Sequence, residues 1–217
     1  MRKRSHIQKE ETVDLSLWHF LPPDLPDPTV EAWNVANIFP EKKPIELEIG
    51  SGKGLFLKNA AKSFPERNFL GIEISKKYAR LIALYLAHDI TPNAAVVCGD
   101  AVLVLQNSIP DAFLAAVHIY FPDPWWKNKH SKRRIVCPSV VKLIHQKLIS
   151  GGKFHFWTDV EPYFRKGLEV ITAVSELEGP FDVPVSEPEH DFDYRTHFER
   201  RTCLNGEPVF RSLFVKK

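Results

Sequence analysis

Three acidic residues and one glycine-rich turn are the first side chains whose types and spacing could bind a ligand. Glu48 precedes the turn Gly50-Ser51-Gly52-Lys53-Gly54 at the end of the first predicted strand. Glu73 lies at the end of the second predicted strand, and Asp100 follows the third. The carboxyl ends of parallel strands meet at the ligand-binding edge of an open α/β sheet, and glycine lets the backbone approach a ligand closely. The candidate cofactor-binding residues are therefore Glu48, Gly50, Gly52, Gly54, Glu73 and Asp100.

The glycine spacing excludes two common phosphate-binding motifs. The phosphate loop G-x-x-x-x-G-K-[S/T] is absent, and the dinucleotide pattern G-x-G-x-x-G is replaced by G-x-G-x-G. Three carboxylates would repel a pyrophosphate, but they suit the amino group, ribose and adenine amino group of S-adenosylmethionine. Glu73, about 20 residues past the turn, is placed to accept from the ribose hydroxyls. The sequence predicts S-adenosylmethionine as the cofactor; the alternative is an ordinary tight turn with solvated carboxylates.

A basic block follows the fourth predicted strand. Residues 127–134 read KNKHSKRR, with five Lys or Arg, one His and no acid, in a chain whose net charge is only +2. A local basic block on a nearly neutral protein indicates a localised anionic partner. The alternative is a solvated loop, but the block directly follows the segment Pro122-Asp123-Pro124, in which two prolines fix the backbone on either side of a carboxylate.

Alternating strand and helix patterns position these residues. The predicted strands are Ile45–Ile49, Phe69–Ile74, Ala94–Cys98, Ala115–Phe121, Lys153–Thr158 and Val209–Val215. The predicted helices are Gly54–Ser63, Lys76–His88, Ala101–Gln106, Pro138–Ile149 and Glu161–Val174. This order predicts an α/β fold with helices on both faces of a mostly parallel sheet.

The two ends of the chain differ from this pattern. Asn205-Gly206 predicts a hairpin turn that leads into the last strand. We therefore expect a Rossmann-like, seven-stranded sheet of the class I S-adenosylmethionine-dependent methyltransferase type, with an antiparallel C-terminal strand. Residues 1–44 are rich in proline and charge and read as an irregular N-terminal extension, with a short helix expected around Val30–Ile38. The methyltransferase domain is expected to span residues 45–217.

Composition excludes several other classes. The 217 residues suit one domain, and no apolar run is long enough for a membrane span or a secretory signal. Three widely spaced cysteines give neither a disulfide framework nor a zinc site. His118, His145 and His155 have no metal-ligand spacing and are interpreted as structural. We expect a cytoplasmic protein without a metal, and we find no Ser/His/Asp or Cys/His arrangement with a supporting motif.

The segment Phe121–Arg134, FPDPWWKNKHSKRR, closely resembles the signature of the bacterial single-chain tRNA (guanine-N7)-methyltransferase family. The resemblance extends from about Ile45 to the C-terminus and includes LEIGSGKG, GIEI, Gly99-Asp100-Ala101 and Trp157-Thr158-Asp159. The family usually has proline where Trp126 stands, a departure that leaves Asp123 and Lys127 in place.

The resemblance implies methyl transfer from S-adenosylmethionine to N7 of guanosine 46 in the tRNA variable loop, with tRNA as partner and no obligate protein partner. It implies that Asp123 is catalytic, contacts the cofactor and orients guanine, since a carboxylate can accept from guanine N1–H and its amino group. The substrate-binding residues implied are Lys127, Asp159, Thr196 and Glu199, and the RNA-binding residues are Lys129, His130, Lys132, Arg133 and Arg134.

Simpler interpretations of these residues remain open. Asp159 could be a helix N-cap, and Thr196-x-x-Glu199 is also the signature of a capping box. The protein could also methylate another RNA, DNA or a protein amide, because D/N-P-P-aromatic loops methylate exocyclic amines. A non-catalytic RNA-binding module of the same fold is the other alternative, although such a module would be expected to lose Glu48, Glu73 and Asp100.

Overall fold

The structure is a computed structural model that describes residues 13–25, 27, 38–125, 134–184, 190 and 194–217. Within these residues the strands are β1 (His19–Phe20), β2 (Ile45–Ile49), β3 (Asn68–Glu73), β4 (Ala94–Cys98), β5 (Leu114–Tyr120), β6 (Leu148–Thr158), β7 (Leu177–Phe181) and β8 (Phe210–Lys216). The helices are α1 (Leu55–Ser63), α2 (Lys76–His88), α3 (Ala101–Asn107), α4 (Pro138–Lys147), α5 (Glu161–Val174) and α6 (His197–Leu204). None of these helices is long and apolar enough to cross a bilayer.

All the strands form one sheet in the order β1-β4-β3-β2-β5-β6-β8-β7. The pairs from β1 to β6 are parallel, and β8 runs antiparallel to both β6 and β7. The chain builds outward from β2 in one direction and from β5 in the other, so the strand order reverses between these two neighbours. In open α/β sheets the ligand crevice lies at such a switch point, outside the carboxyl ends of the strands.

Helices cover both faces of the sheet, and its central strands are buried on both sides. Every residue of β2 and of β4 is buried. Side chains of α1 and α2 pack in one apolar cluster, and side chains of α3, α4 and α5 pack in another. This confirms the predicted class and the predicted bounds of β4, α2 and α5.

The predicted hairpin turn at Asn205-Gly206 is wrong. These residues end α6, where Gly206 has φ 71° and donates its N–H to the carbonyl of Cys203. Glycine commonly ends helices in this left-handed conformation, so an Asn-Gly dipeptide is compatible with a helix end as well as with a hairpin turn. The strands that pair with β8 are β6 and β7.

The boundary between α4 and β6 also differs from the prediction. The helix ends at Lys147, two residues before the predicted end at Ile149, and the strand begins at once at Leu148. The pairing of β5 with β6 shifts register between Leu114 and Ala116. This irregularity accommodates Gly151, with φ 74°, within one long strand.

Part of the N-terminal extension packs on the sheet. β1 pairs with β4, which makes eight strands where seven were expected. Phe20, Ile38 and Phe39 are buried in the larger apolar cluster. The helix expected around Val30–Ile38 lies outside the described residues apart from Ile38, which is in a turn.

Candidate active site

A cavity of about 500 Å³ opens at the carboxyl ends of β2 and β5. Its walls come from the glycine-rich turn after β2, the last residue of β5 with the residue after it, and the first turn of α6. Among the predicted site residues, Glu48, Gly50, Gly52 and Thr196 line this cavity. It therefore lies at the switch point of the sheet.

The glycine-rich turn presents bare backbone to this cavity. Gly50, Gly52 and Gly54 all have positive φ, at 80°, 55° and 77°. A Cβ added at Gly50 or Gly52 would meet no other atom within 4 Å, whereas one at Gly54 would lie 2.7 Å from Ile82 Cγ1. The first two glycines thus leave space for a ligand, and the third allows α1 and α2 to pack closely.

Glu48 is the buried acid of the cavity. Only 2% of the residue is exposed, and its Oε2 has no hydrogen-bond partner among the described residues. Burial raises the pKa of Glu48 to about 7; the Ser51 hydroxyl opposes this rise, and the charge of Glu73 adds to it. An unpaired buried carboxyl oxygen is costly, so this side chain is arranged to accept from a donor in the cavity.

Glu73 and Asp100 have backbone partners and do not line the cavity. The two carboxylate oxygens of Glu73 accept from the N–H groups of Gly52 and Ser75, both at 2.8 Å. Asp100 is exposed and caps α3, with Oδ1 accepting from Val102 N at 2.8 Å. Carboxylate oxygens keep further lone pairs, so the expected cofactor contacts of both acids stay predictions.

Asp123 is exposed in the loop that follows β5. Phe121 and Trp125, two residues to either side, have φ of 49° and 44°. Non-glycine residues in this region cost about 1–3 kcal/mol each and concentrate at functional sites, where the surroundings impose them. Asp123 is not among the residues that line the cavity, and its expected contacts with the cofactor and with guanine stay predictions.

Arg134 fixes the far end of this loop. Its Nε donates to the carbonyl of Pro124 at 2.8 Å and a terminal nitrogen donates to the carbonyl of Trp125 at 3.3 Å. The guanidinium also lies 5.7 Å from the ring centre of Tyr163. The RNA contact expected of Arg134 stays a prediction. The other predicted binding residues of this segment lie outside the described residues, as does Trp126; they are Lys127, Lys129, His130, Lys132 and Arg133.

Thr196 is the N-cap of α6, and Glu199 accepts from the residue before the cap rather than from the cap itself, so the capping box is only half formed. Thr196 Oγ1 accepts from Glu199 N at 3.0 Å, and Glu199 Oε2 accepts from Arg195 N at 2.7 Å. Glu199 is 5% exposed and its other oxygen pairs with Arg211 at 2.8 Å. Glu199 therefore fixes the turn that presents Thr196 to the cavity, and its expected contact with substrate stays a prediction.

Asp159 is half-buried after β6 and is not the cap of α5. The N-cap is Val160, whose N–H donates to Thr158 Oγ1 at 3.2 Å. The simpler interpretation of Asp159 as a helix cap is therefore wrong, and its expected contact with substrate is untested. No group of three potential metal ligands is found within the ranges that the structure describes.

The mouth of the cavity includes residues that the sequence did not indicate. His197 and Arg201 are four positions apart on α6 and line the cavity with Lys53. Phe198 packs against Phe121, with ring centres 5.1 Å apart, and the Arg201 guanidinium lies 4.2 Å from its ring centre. His197 and Arg201 have an i, i+4 spacing in the sequence, but this spacing brings two side chains together only on a helix, and the sequence analysis predicted no helix there. The cavity thus combines a buried acid with cations and an aromatic surface.

Comparisons with known proteins place the chain in a family. The sequence model of a family described as "Putative methyltransferase" matches residues 42–212. A tRNA (guanine-N7)-methyltransferase of Rhodopirellula baltica is 41% identical over 211 residues, which cover 94% of this chain and 76% of the relative. One of Aeromonas hydrophila is 39% identical over 86% of this chain and 78% of the relative. The chain belongs to the tRNA (guanine-N7)-methyltransferase family.

Solved structures show that this methyltransferase has the class I fold. The 16S rRNA methyltransferase KamB matches with a TM-score of 0.61 and 14% identity, over 82% of this chain and 90% of that one. A precorrin-6y C5,15-methyltransferase of Geobacter metallireducens matches with a TM-score of 0.57 and 17% identity, over 81% and 82%. At such low identity these structures establish the fold alone.

The methyl donor of this methyltransferase is S-adenosylmethionine, and the cavity fits it. The unpaired Oε2 of Glu48 can accept from an ammonium group, while Lys53 and Arg201 offer positive charge for a carboxylate. Burial, together with the nearby charges of Lys53 and Arg200, lowers the pKa of His197 below its usual value. The bare backbone at Gly50 and Gly52 lets a ligand approach the turn.

Proposed function

We propose that this protein transfers the methyl group of S-adenosylmethionine to N7 of guanosine 46 in the variable loop of tRNA. The relatives at 39–41% identity support tRNA and guanine N7. The observation that carries the proposal is the cavity at the switch point, which is lined by both Glu48, with its unpaired Oε2, and Thr196, and at one wall of which the loop of Asp123 begins. Position 46 rests on the resemblance of the segment 121–134.

On the cofactor side, Glu48, Gly50 and Gly52 hold the donor directly. Gly54 acts by packing, because its lack of a side chain lets α1 approach Ile82. Glu73 fastens the glycine-rich turn to the start of α2 through its two backbone hydrogen bonds. Glu73 and Asp100 supply the remaining polar contacts in this proposal.

The reaction depends on alignment of guanine N7 with the methyl group more than on proton transfer. When bound, S-adenosylmethionine supplies a methyl group on a positively charged sulfur, which keeps the electron pair of the broken bond. Guanine N7 has a free lone pair that forms the new bond, so no residue of the chain has to remove a proton first. The chain's contribution is therefore to hold guanine in line and to stabilise the positive charge that the ring acquires.

On the substrate side, Asp123 accepts from the N1–H and amino group of guanine and so directs N7 towards the cavity. The strained backbone at Phe121 and Trp125 supports this role, because it keeps a polar loop at the ligand edge at a cost in folding energy. Asp159 and Thr196, with Lys127, complete the substrate side, and Glu199 acts through the turn at Thr196.

The basic segment binds tRNA phosphates in this proposal, through Lys129, His130, Lys132, Arg133 and Arg134. The major groove of an RNA helix, where N7 lies, is too deep and narrow for side chains. The target guanine therefore has to be unstacked and turned towards the enzyme. Such a reaction places the protein in the cytoplasm with its substrate.

The experiment combines purified protein, an unmodified tRNA transcript and methyl-labelled S-adenosylmethionine, followed by nucleoside analysis. The expected product is labelled 7-methylguanosine, which disappears when the transcript carries adenosine at position 46. Label in 7-methylguanosine that persists in this control transcript would contradict the position. Label in another nucleoside, or none, would contradict the reaction.

A further inference from the structure

A pair of aromatic rings joins α6 to the loop that carries Asp123. The ring of Phe198 on α6 packs against that of Phe121, the first residue after β5, with ring centres 5.1 Å apart and ring planes 31° apart. The guanidinium of Arg201, three positions further along the helix, lies 4.2 Å from the centre of the Phe198 ring. All three residues line the cavity. The aromatic pair of Phe121 and Phe198 therefore connects α6 at the cavity to a residue two positions before Asp123.

The attachment of α6 to the sheet has other contacts. Glu199 pairs with Arg211 of β8 at 2.8 Å, and Thr202 is 1% exposed. Phe198, by contrast, is 38% exposed, so it buries much less of its surface than the residues of the core. Stabilisation of the core therefore does not account for its contact with Phe121.

The backbone of Phe121 is strained and is held by contacts to two other elements. Its φ of 49° lies in the left-handed region, where a non-glycine residue persists only if its surroundings impose the conformation. The N–H of Phe121 donates to the carbonyl of Trp157 at 2.8 Å, which attaches it to β6. The ring contact with Phe198 attaches it to α6. Together these contacts determine where the chain leaves the sheet.

Asp123 lies between this end of the loop and a second attachment. Pro122 and Pro124 have no N–H to donate, and they restrict the backbone on both sides of Asp123. Beyond Asp123 the loop is held by Arg134, whose Nε donates to the carbonyl of Pro124 at 2.8 Å. The position of the Asp123 carboxylate therefore depends on how both ends of this short segment are held.

We propose that Phe198 is a positioning residue that sets the Asp123 loop, through Phe121, in the place that methyl transfer requires. The inference rests on the proposed role of Asp123 in holding guanine, and it adds a residue of α6 to the substrate side. Thr196, the cap of the same helix, lines the cavity, so one helix borders the cofactor side and supports the loop. A misplacement of about 1 Å can slow a reaction that depends on alignment about 100-fold. The expected effect is therefore on turnover rather than on binding.

The first test compares Phe198→Ala with Phe64→Ala. Phe64 is the matched control because it is 44% exposed, also lies against a guanidinium, that of Arg67 at 5.2 Å, and does not line the cavity. Alanine is a good helix former, so α6 should stay intact. We expect Phe198→Ala to lower the single-turnover rate of methylation about 5- to 20-fold at saturating tRNA and donor.

Binding of the cofactor product separates this role from a direct contact with the donor. The affinity of Phe198→Ala for S-adenosylhomocysteine, measured by calorimetry without tRNA, should stay within about twofold of the unaltered protein. Phe64→Ala should change neither the rate nor the affinity. An unchanged rate in Phe198→Ala, or a loss of affinity as large as the loss of rate, would overturn the proposal.

A double-mutant cycle with Asp123 distinguishes positioning from a separate role of the ring. If Phe198 acts through the Asp123 loop, adding Phe198→Ala to Asp123→Ala should slow methylation by less than about twofold, because the carboxylate to be positioned is already missing. A further loss as large as the one in the otherwise unaltered protein would show that the ring acts independently of Asp123, and would overturn the proposal.

Hydrogen exchange followed by NMR gives a readout that needs neither tRNA nor donor. In Phe198→Ala, exchange of the Phe121 amide, which donates to Trp157, should accelerate at least about fivefold more than exchange in the buried strand β4. Phe64→Ala should show no such difference. An increase at Phe121 no larger than that in β4 would mean a general loss of stability and would overturn the proposal. Failure of the proposed reaction would be recognised separately, as a lack of 7-methylguanosine with the unaltered protein.

Discussion

The two halves of the candidate site are built differently. On the cofactor half, Glu48, the glycine-rich turn and Tyr120 are held by buried contacts at the centre of the sheet. On the substrate half, Asp123 is exposed, Asp159 is half-buried and neither lines the cavity. From this difference we predict that the chain preforms its cofactor site, whereas the guanine site takes its final form when tRNA binds.

Replacing Asp123 should give the largest difference between the effect on methylation and the effect on cofactor affinity. Asp123→Ala removes the acceptor for guanine but touches nothing in the cavity, so we expect methylation to fall at least about 100-fold. The affinity for S-adenosylmethionine should stay within about twofold. Single-turnover methylation and calorimetry measure the two effects.

Asp123→Asn is the companion variant, because it keeps the size of the side chain and one accepting oxygen. We expect it to retain more activity than alanine and less than the unaltered protein. Near-normal turnover in Asp123→Ala would remove this residue from the site. A parallel loss of cofactor affinity would show that Asp123 contributes to both halves of the site.

Glu48→Gln should have the converse effect. Loss of the carboxylate should weaken S-adenosylmethionine about 10- to 100-fold, because a hydrogen bond to a charged group is lost in a buried position. Glu169→Gln, on the outer face of α5 and paired only with Lys166 in the described contacts, is the matched control and should change nothing. Calorimetry without tRNA measures both.

The same variant tests the sign of a pH effect. The Glu48 carboxyl, with its pKa raised to about 7, is largely protonated below that pH and must ionise to pair with an ammonium group. Cofactor affinity should therefore rise about fivefold from pH 6 to pH 7 and about twofold more by pH 8, and then level off, with proton release on binding around neutral pH. Glu48→Gln should abolish this dependence; a slope that persists in the variant would assign the effect to another group.

Arg133 and Arg134 offer a smaller and sharper comparison within the substrate half. Arg134 donates to the carbonyls of Pro124 and Trp125, so Arg134→Gln should slow methylation about three- to tenfold by loosening the Asp123 loop. Both variants should lower the slope of log affinity for tRNA against log salt by about 1, because both residues are proposed to bind phosphate, but Arg133→Gln should leave turnover at saturating tRNA nearly unchanged. Filter binding across a salt series, beside turnover, checks both effects; an unchanged salt slope in Arg134→Gln would remove Arg134 from the proposed phosphate ligands.

The parts of the fold that sequence predicted were those that local patterns determine. The apolar periodicity of α2 and the β-branched run of β4 gave their bounds to the residue. The helix α6 was missed because its sequence is short and polar. It depends on the Thr196 cap and on the pair of Glu199 with Arg211, which comes from β8.

The candidate site likewise contains residues that a local motif predicts and residues that depend on contacts between distant parts of the chain. Glu48 and the glycines follow from a local motif, and the structure brings them to one cavity. Tyr120 gave no signal, since its place in the lining depends on the end of β5 lying beside the glycine-rich turn, which is far away in sequence. His118 was interpreted as structural, and it is buried with hydrogen bonds to Glu46 and Tyr120.

Calorimetric titration of S-adenosylhomocysteine into the protein, with and without unmodified tRNA, tests most directly whether the cofactor half is preformed. We predict one molecule bound per chain without tRNA, and a dissociation constant that tRNA changes by less than about threefold. Binding that appears only in the presence of tRNA would contradict the account, because the RNA would then be building the cofactor site as well.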